Sequence, residues 1–379
     1  MRFWPLLFLF PISVAGQKIM LEPGTTMGPV SVQLKKPGKG DYGLRSKLSG
    51  KTYPLQWEDE HTALCIVDEK SLTPIELTVQ KINKPKISVS LDSDKNGILI
   101  RSGEKKVFYY QSASAMPPPD SPAYYQRSGF IHPLYSPAGK ILTDDFPVTH
   151  AHQHAIFHAW ADTRFRGTHV DFWNQFKKEG TVRHKGVISS KAGPVFSELV
   201  SLQEYISVLH GVVLSEKWTM RCYATKGVFI LDIKIDQENI TEDTLYLDKY
   251  IYGGMAFRGA AQWDTQNPKY FQNRWNVTTS EGLKDSLANN SSAKWVTVSG
   301  KIDGTNASVT VFSHPLNFRS PQKIRVHPSM PYWAYSPVID GAFKIAPHGK
   351  YSARYRYYVS DEVPEEENLK RIFNLWSKQ

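Results

Sequence analysis

Apolar and polar positions alternate with a short period along most of the chain. Residues 86–91 (KISVSL), 97–101 (GILIR), 106–110 (KVFYY), 228–235 (VFILDIKI), 295–302, 307–312 (ASVTVF) and 351–359 (YSARYRYYV) are brief runs rich in β-branched and aromatic side chains. Gly, Asn, Asp or Pro separates them, which is the pattern of strands joined by turns. Residues 30–34 and 75–79 form two more such runs ahead of Lys84-Pro85. Residues 17–85 therefore read as a small N-terminal β module and residues 86–360 as the main domain. The predicted fold class is all-β, a large two-sheet antiparallel sandwich. Residues 361–379 depart from the rhythm. Pro364 and Glu365 to Glu367 suit a first helical turn, and Leu369, Ile372, Phe373 and Trp376 fall on one face, so a C-terminal helix packed on the main domain is expected.

Composition narrows the class without choosing a function. With 41% apolar and 22% charged residues, the 379-residue chain is neither disordered, collagen-like nor a coiled coil. The net charge of +10 is spread along the chain, and no Lys/Arg run reaches the density of a nucleic-acid arm. Arg2, the apolar stretch 4–14 and Val14-Ala15-Gly16 have the form of a signal peptide over residues 1–16, cleaved before Gln17. A secreted, periplasmic protein is expected. No apolar run approaches the roughly 18 residues of a spanning helix, so no membrane span is predicted. Cys65 and Cys222 leave two readings open, a bridge or two buried thiols.

The concentrated chemistry lies between residues 117 and 184. Seven of the twelve histidines (His132, His150, His152, His154, His158, His169 and His184) fall in this stretch. In an extended segment, positions i, i+2 and i+4 share a face, so His150, His152 and His154 would converge. Such a face suits proton transfer near neutral pH, and it also suits ligation of a divalent metal. No cofactor follows from the sequence beyond that candidate metal. Asp171, beside Phe172 and Trp173, is a carboxylate that an imidazole N–H would partner. Tyr125, Trp160 and Trp173 offer flat faces to the C–H side of a sugar ring, and Arg127 adds a fixed charge. Later in the chain, Gly253-Gly254 permits close backbone approach ahead of Arg258. His314 is the preferred second imidazole, with Asn317 and Arg319 beside it.

These motifs also carry a family likeness. The runs YYQRSGFIHPLYSP (124–137), LTDDFP followed by HAH (142–152), DFW (171–173), YGGMAFR (252–258) and RYRYYV (354–359) resemble a bacterial family of unknown function that bears the name methane oxygenase PmoA. The likeness spans roughly residues 90–360. The family pattern Asp-His-Pro-His-His-Arg-Gly meets Thr149-His150-Ala151-His152-Gln153-His154-Ala155 here, so only His150 and His152 carry over. The inherited name implies an integral membrane oxygenase subunit, which a chain without a spanning run does not match. The resemblance implies instead a sugar-related partner and, through the Gly-Gly-x-x-x-Arg element, a fold like the galactose-mutarotase supersandwich.

Three readings follow. In the first, His150 or His152 moves a proton on a carbohydrate or sugar-derived ligand, with Asp171 orienting it and Arg127 or Arg258 stabilising negative charge, as in an epimerase, lyase or hydrolase. In the second, the same groups only bind sugar. In the third, His150 and His152 with His154 or Asp171 hold a divalent ion.

Overall fold

The computed structural model describes residues 15–22, 28–36, 39–69, 71–270 and 274–379. Nearly all of the expected signal peptide, residues 1–14, lies outside the described residues. The chain folds as two compact units, residues 1–87 and 88–379.

In the smaller unit, Ile75, Leu77 and Val79 point inward while Glu76, Thr78 and Gln80 are less buried, the two-residue period of a half-buried strand. Ile75–Ile82 lies between Lys18–Leu21 and Asp41–Ser46 in a four-stranded sheet completed by Thr52–Pro54. A three-stranded sheet of Pro29–Gln33, Thr62–Ile66 and Gln56–Trp57 accompanies it. Leu44, Leu77, Val79, Ala63 and Cys65 form the core.

The larger unit is built on two eight-stranded antiparallel sheets, as the strand pattern predicts. The first runs Ile324–Val326, Tyr332–Tyr335, Gly254–Arg258, Ile156–Ala159, Phe130–Leu134, Lys105–Gln111, Gly97–Ser102, Val89–Ser93. The second runs Gly180–Lys191, Phe196–Ser207, Gly211–Tyr223, Phe229–Asn239, Lys350–Ser360, Thr305–Ser313, Trp295–Ile302, Trp275–Thr279. A small sheet of Thr168–Val170, Thr163–Phe165, Leu245–Leu247 and Phe343–Ile345 adjoins them in the same unit.

Within the core between the large sheets runs a polar row. Gln203 pairs with Glu216, Glu216 with Gln237, and Gln237 with Tyr351, so the four face inward in line across four strands. Glu216 is fully buried and accepts hydrogen bonds from the Tyr205 hydroxyl (3.0 Å), Trp218 Nε1 (2.6 Å) and Gln237 Nε2 (2.6 Å), with His158 Nδ1 at 2.9 Å. A buried carboxylate persists only when its lone pairs are met in this way. His158 comes from the first sheet, so the contact joins the two layers.

The one α-helix among the described residues, Glu366–Trp376, starts on two glutamates in its first turn and buries Leu369, Ile372 and Trp376. Trp376 stands edge-on to His314 (4.9 Å between ring centroids) and Phe373 faces Trp295 (5.7 Å). No helix among the described residues is long and apolar enough to cross a membrane. Cys65 and Cys222 are both free and buried, which overturns the bridge reading, and burial pushes each thiol up to about 12.

The helix acts as a plug whose removal exposes the His314 surface. Trp376→Ala should lower stability by about 3–5 kcal/mol, the usual cost of truncating a buried tryptophan. Urea denaturation measures this, and an unchanged midpoint would show that the helix merely rests on the sandwich.

Candidate functional site

Antiparallel pairing gathers four strand ends at one end of the first sheet. Ile156 pairs with Phe257, Arg258 with Tyr332, and Val326 with Trp333. The segment between Leu134 and Ile156 closes over the same end through bridges Thr143 to Gly259 and Asp145 to His154. Two positive-φ residues stand in this segment, Phe146 (52°) near its middle and Ala155 (53°) at its end. Non-glycine residues held there cost on the order of 1–3 kcal/mol each, and such strain gathers at functional sites.

His150 and His152 converge, though not on a strand. The His150 amide donates to Pro147 O (3.0 Å) and the Gln153 amide to His150 O (2.9 Å), so two successive turns carry them. Proline at 147 supplies no N–H and its fixed φ favours the turn. The two rings lie 5.6 Å apart between centroids, and His150 also faces His327 at 5.7 Å. His327 follows Ile324–Val326, and its amide donates to Tyr332 O (2.9 Å). Burial, with the neighbouring imidazoles and Arg258 adding to it, lowers His152 to about 3. Burial, then Arg325, His150 and Arg258, lowers His327 to about 4, and His150 is lowered by burial and Arg258. All three rings are therefore neutral near pH 7, each offering one donor and one acceptor.

Behind them sits Arg258, completely buried. One arm pairs with Asp264 in a very short contact and Nη1 donates to Gln153 Oε1 (3.1 Å). Gln153 belongs to the histidine turn, so the guanidinium ties that turn to the sheet. Its backbone does the same, with the Arg258 amide donating to Ala155 O (2.7 Å) and the Asp144 amide donating to Arg258 O (3.3 Å). The Asp144 carboxyl is raised to about 6, chiefly by burial, with Asp145 and Asp264 adding to the rise and Arg258 opposing it. Sequence reasoning passed over Asp144 and preferred His314 as the second imidazole. The available signal was Asp144-Asp145, two adjacent carboxylates just before the histidine run, and a second His-Pro pair at 327.

An aromatic rim adjoins the imidazoles. Phe176 is half-exposed and stands edge-on to His152 at 5.7 Å. It lies on the short helix Gln175–Lys177, which meets a second one, Ala123–Tyr125. There Tyr124 and Tyr125 sit 4.6 Å apart between ring centroids, with Lys178 Nζ 5.1 Å from the Tyr124 ring. Gln175 fixes this rim, donating to Gln126 O (2.8 Å) while its Oε1 meets His154 Nε2 (2.8 Å).

The remaining expected residues are placed elsewhere. His154 is buried, with Nδ1 against Asp145 (2.8 Å) and Nε2 against Gln175, so both nitrogens are engaged. Among the described residues no group of three His, Cys, Asp or Glu side chains is arranged to hold a metal ion. Asp171 meets no imidazole. It accepts from the Trp173 and Asn174 amides (2.9 and 2.7 Å) and from Asn174 Nδ2 (2.8 Å), and it pairs with Lys177 (2.9 Å), organising the loop that carries Phe176. Trp160 and Trp173 are core residues, Trp160 donating to Gln237 (2.9 Å) and Trp173 packing on Phe157 at 4.7 Å. Arg127 is buried over the Phe157 ring (4.9 Å), donates to His158 O (3.2 Å), and is lowered by burial to about 10. His314 lies under the C-terminal helix. Asn317 caps the chain at Arg354, and Arg319 donates to the carbonyls of Pro337, Gly341 and Ala342. The close approach allowed by Gly254 is to Tyr335 O, which a Cβ would meet at 2.4 Å.

The model of a family of unknown function, DUF6807, matches residues 97–374. The chain belongs to that family. Membership covers both large sheets almost entirely and includes every residue of the imidazole cluster. No curated protein matches the chain. Among solved structures, it is similar to the GH36 alpha-galactosidase AgaA from Geobacillus stearothermophilus (12% identity, TM-score 0.35), covering 74% of this chain and 40% of that one. It is also similar to a galactose mutarotase related enzyme from Lactobacillus acidophilus (9% identity, TM-score 0.32, 73% and 100% covered). A galactose mutarotase-like protein from Lactobacillus casei gives 8% identity and a TM-score of 0.32, with 72% and 99% covered. The chain spans about two fifths of the length of the alpha-galactosidase.

The partly buried, neutral ring at 152 bears on acid stability. Its folded-state pKa lies below its ordinary value of 6.5, so the unfolded chain binds the extra proton. The stability linked to it is complete above about pH 6.5 and is lost as pH falls toward about 3. In His152→Gln the acid limb of the thermal midpoint should become shallower. Superimposable limbs would mean that the ring is solvated in solution.

Proposed function

We propose that this protein handles a carbohydrate or sugar-derived ligand, bound where His150, His152 and His327 meet the rim of Phe176, Tyr124 and Tyr125. The observation that carries the reading is the juxtaposition of three neutral imidazoles with an exposed aromatic edge. A sugar hydroxyl both donates and accepts, as a neutral imidazole does, and the C–H face of the ring packs on aromatic carbon. Arg258 is already occupied by Asp264 and Gln153, so the recognition is by hydroxyls rather than by an anion fork. The solved sugar-related proteins share no more than distant fold similarity with this chain, and the reading rests on this cluster of side chains alone.

The reading keeps acid/base chemistry of the epimerase, lyase or hydrolase kind, with a non-catalytic sugar-binding module as the alternative. In the metal-dependent alternative His154 would not serve as a ligand, because both of its nitrogens are engaged, and among the described residues no group of three His, Cys, Asp or Glu side chains is arranged to hold an ion; no step is routed through a metal. Export belongs to the same proposal: cleavage before Gln17 would leave the first strand, which begins at Lys18, intact. Finding Gln17 at the N-terminus of periplasmic protein would support it.

The test is calorimetric binding of a panel of neutral and acidic mono- and oligosaccharides, with product analysis on every binder. His152→Gln and Phe176→Ala should each weaken binding by roughly tenfold, the scale of one neutral hydrogen bond or one aromatic contact. Binding that survives both substitutions unchanged places the ligand elsewhere, and no binding at millimolar sugar rejects the reading.

A further inference from the structure

His150 and His327 come from distant parts of the chain, yet one line of hydrogen bonds joins their Nδ1 atoms. His150 Nδ1 lies 3.0 Å from Thr149 Oγ1, and Thr149 Oγ1 lies 3.5 Å from Gln266 Oε1. Gln266 Nε2 lies 3.0 Å from Ser329 Oγ, which is 3.5 Å from His327 Nδ1. The direction of the line is fixed at one end by the backbone. The Ser329 amide donates to His327 Nδ1 (3.3 Å), and an amide N–H has no other role, so that nitrogen carries a lone pair. With its own proton turned to the same lone pair, the Ser329 hydroxyl oxygen accepts from Gln266 Nε2. Gln266 Oε1 then faces Thr149 and can only accept, so the Thr149 proton goes to it and the Thr149 oxygen accepts from His150 Nδ1–H. Gln266 is anchored in turn: its amide donates to Asp264 (2.9 Å), the counter-ion of Arg258, while the neighbouring Thr265 hydroxyl donates to Ser329 O (3.2 Å). A neutral imidazole holds one proton on its two nitrogens. His150, protonated on Nδ1, therefore keeps a bare Nε2, and His327, with its lone pair on Nδ1, keeps an Nε2–H. Both residues are only partly buried, and among the described residues neither Nε2 has a protein partner.

We infer that His150 and His327 form a polarised pair, an acceptor beside a donor, which Thr149, Gln266 and Ser329 set as positioning residues and which selects an uncharged hydroxyl of the ligand. The inference rests on the sugar-binding reading above. The two rings stand 5.7 Å apart between centroids and present opposite roles. A hydroxyl group meets both: its O–H donates to His150 Nε2, and its oxygen, or the oxygen on the neighbouring sugar carbon, accepts from His327 Nε2–H. A carboxylate or a phosphate dianion brings no proton to His150, and an ammonium brings no acceptor to His327, so either leaves one ring unmatched. The pair thus reads the direction of a hydrogen bond as well as its presence. Because every link in the line points the same way, each polarises the next and strengthens the preference of both rings.

The test uses the full chain carrying nitrogen-15 histidine at about pH 8, where even an unshifted imidazole is neutral. Nitrogen spectra, assigned with His150→Gln and His327→Gln, should show His150 protonated on Nδ1 and His327 on Nε2. Thr149→Val and Gln266→Leu should each turn His150 into a mixture of tautomers. Thr149→Ser, which keeps the hydroxyl, should retain the wild-type pattern. A residue that only braced the turn would leave the tautomers alone. The tightest-binding sugar of the panel is then compared with its singly fluorinated analogues, in which the hydroxyl proton is gone. At one position the exchange should weaken binding to the wild type about tenfold, the scale of one hydrogen bond, and to Thr149→Val by less than about threefold. Any other placement of the two protons, a Thr149→Val spectrum identical to the wild type, or the absence of such a fluorinated position overturns the pairing and leaves the sugar reading standing. If no panel sugar binds, the ligand half of the inference falls together with the sugar reading, and the nitrogen spectra alone decide the pairing.

Discussion

The buried guanidinium of Arg258 ends the strand Gly254–Arg258, and everything at that end of the first sheet is arranged around it. A charge removed from water needs a counter-charge and acceptors for its donors, which Arg258 finds for both arms though not for Nε. Asp264 provides the first, after a single 3-10 turn, and Gln153 accepts from a second arm. Because Gln153 sits between His152 and His154 in sequence, satisfying the arginine also fixes the histidine turn. Removing one partner of such a buried pair typically costs about 3–5 kcal/mol, so the geometry of the turn is enforced by the stability of the sheet. The charge of Arg258, expected to stabilise negative charge on a ligand, is thus taken up by an ion pair, but one that shapes the site.

A second polar element holds the layers together farther inside. Glu216 takes donors from its own sheet and lies against His158 of the other, while Arg127 donates to the His158 carbonyl. Apolar side chains alone allow two sheets to slide past one another with little change in buried area, because the hydrophobic effect is not directional. Hydrogen bonds to a carboxylate are directional and are lost on sliding. The row Gln203, Glu216, Gln237 and Tyr351 therefore sets the register between the sheets, and with it the position of His158, three residues beyond Ala155 on the strand that leaves the histidine turn.

Much of the fold was legible because its strands follow the period of two and its turns are marked by glycine, proline and asparagine. The long strands Gly180–Lys191 and Gly211–Tyr223 were not, and the reason is physical. Gly180–Lys191 is an exposed edge strand whose second half is almost entirely solvent-facing, so no apolar alternation survives there. Gly211–Tyr223 points Glu216 inward among Leu214, Trp218 and Met220, which breaks the pattern at its centre. In the candidate site, the sequence located His150 and His152 through their density but assigned them to a strand. Pairing of distant strands decided the rest: His327 reaches His150 through a hairpin, and His314, in an equally suggestive His-Pro context, ends beneath the C-terminal helix. Trp160, Trp173 and Asp171 show the same limit, since a residue's neighbours in sequence do not reveal whether an aromatic ring or a carboxylate faces the core.

The turn that replaced the expected strand does more than relocate two rings. On a strand, His150, His152 and His154 would share one face and one environment, and all three would be exposed or buried together. Successive turns instead send Gln153 and His154 into the protein, to Arg258 and to Asp145 with Gln175, and leave His150 and His152 only partly covered. The inward pair anchors what the outward pair presents. His154 also reaches the rim, because Gln175 precedes Phe176 on the same short helix. A single six-residue segment thus links the arginine at the sheet end to the aromatic edge, and a ligand pressing on Phe176 would act on side chains that are already tied to Arg258.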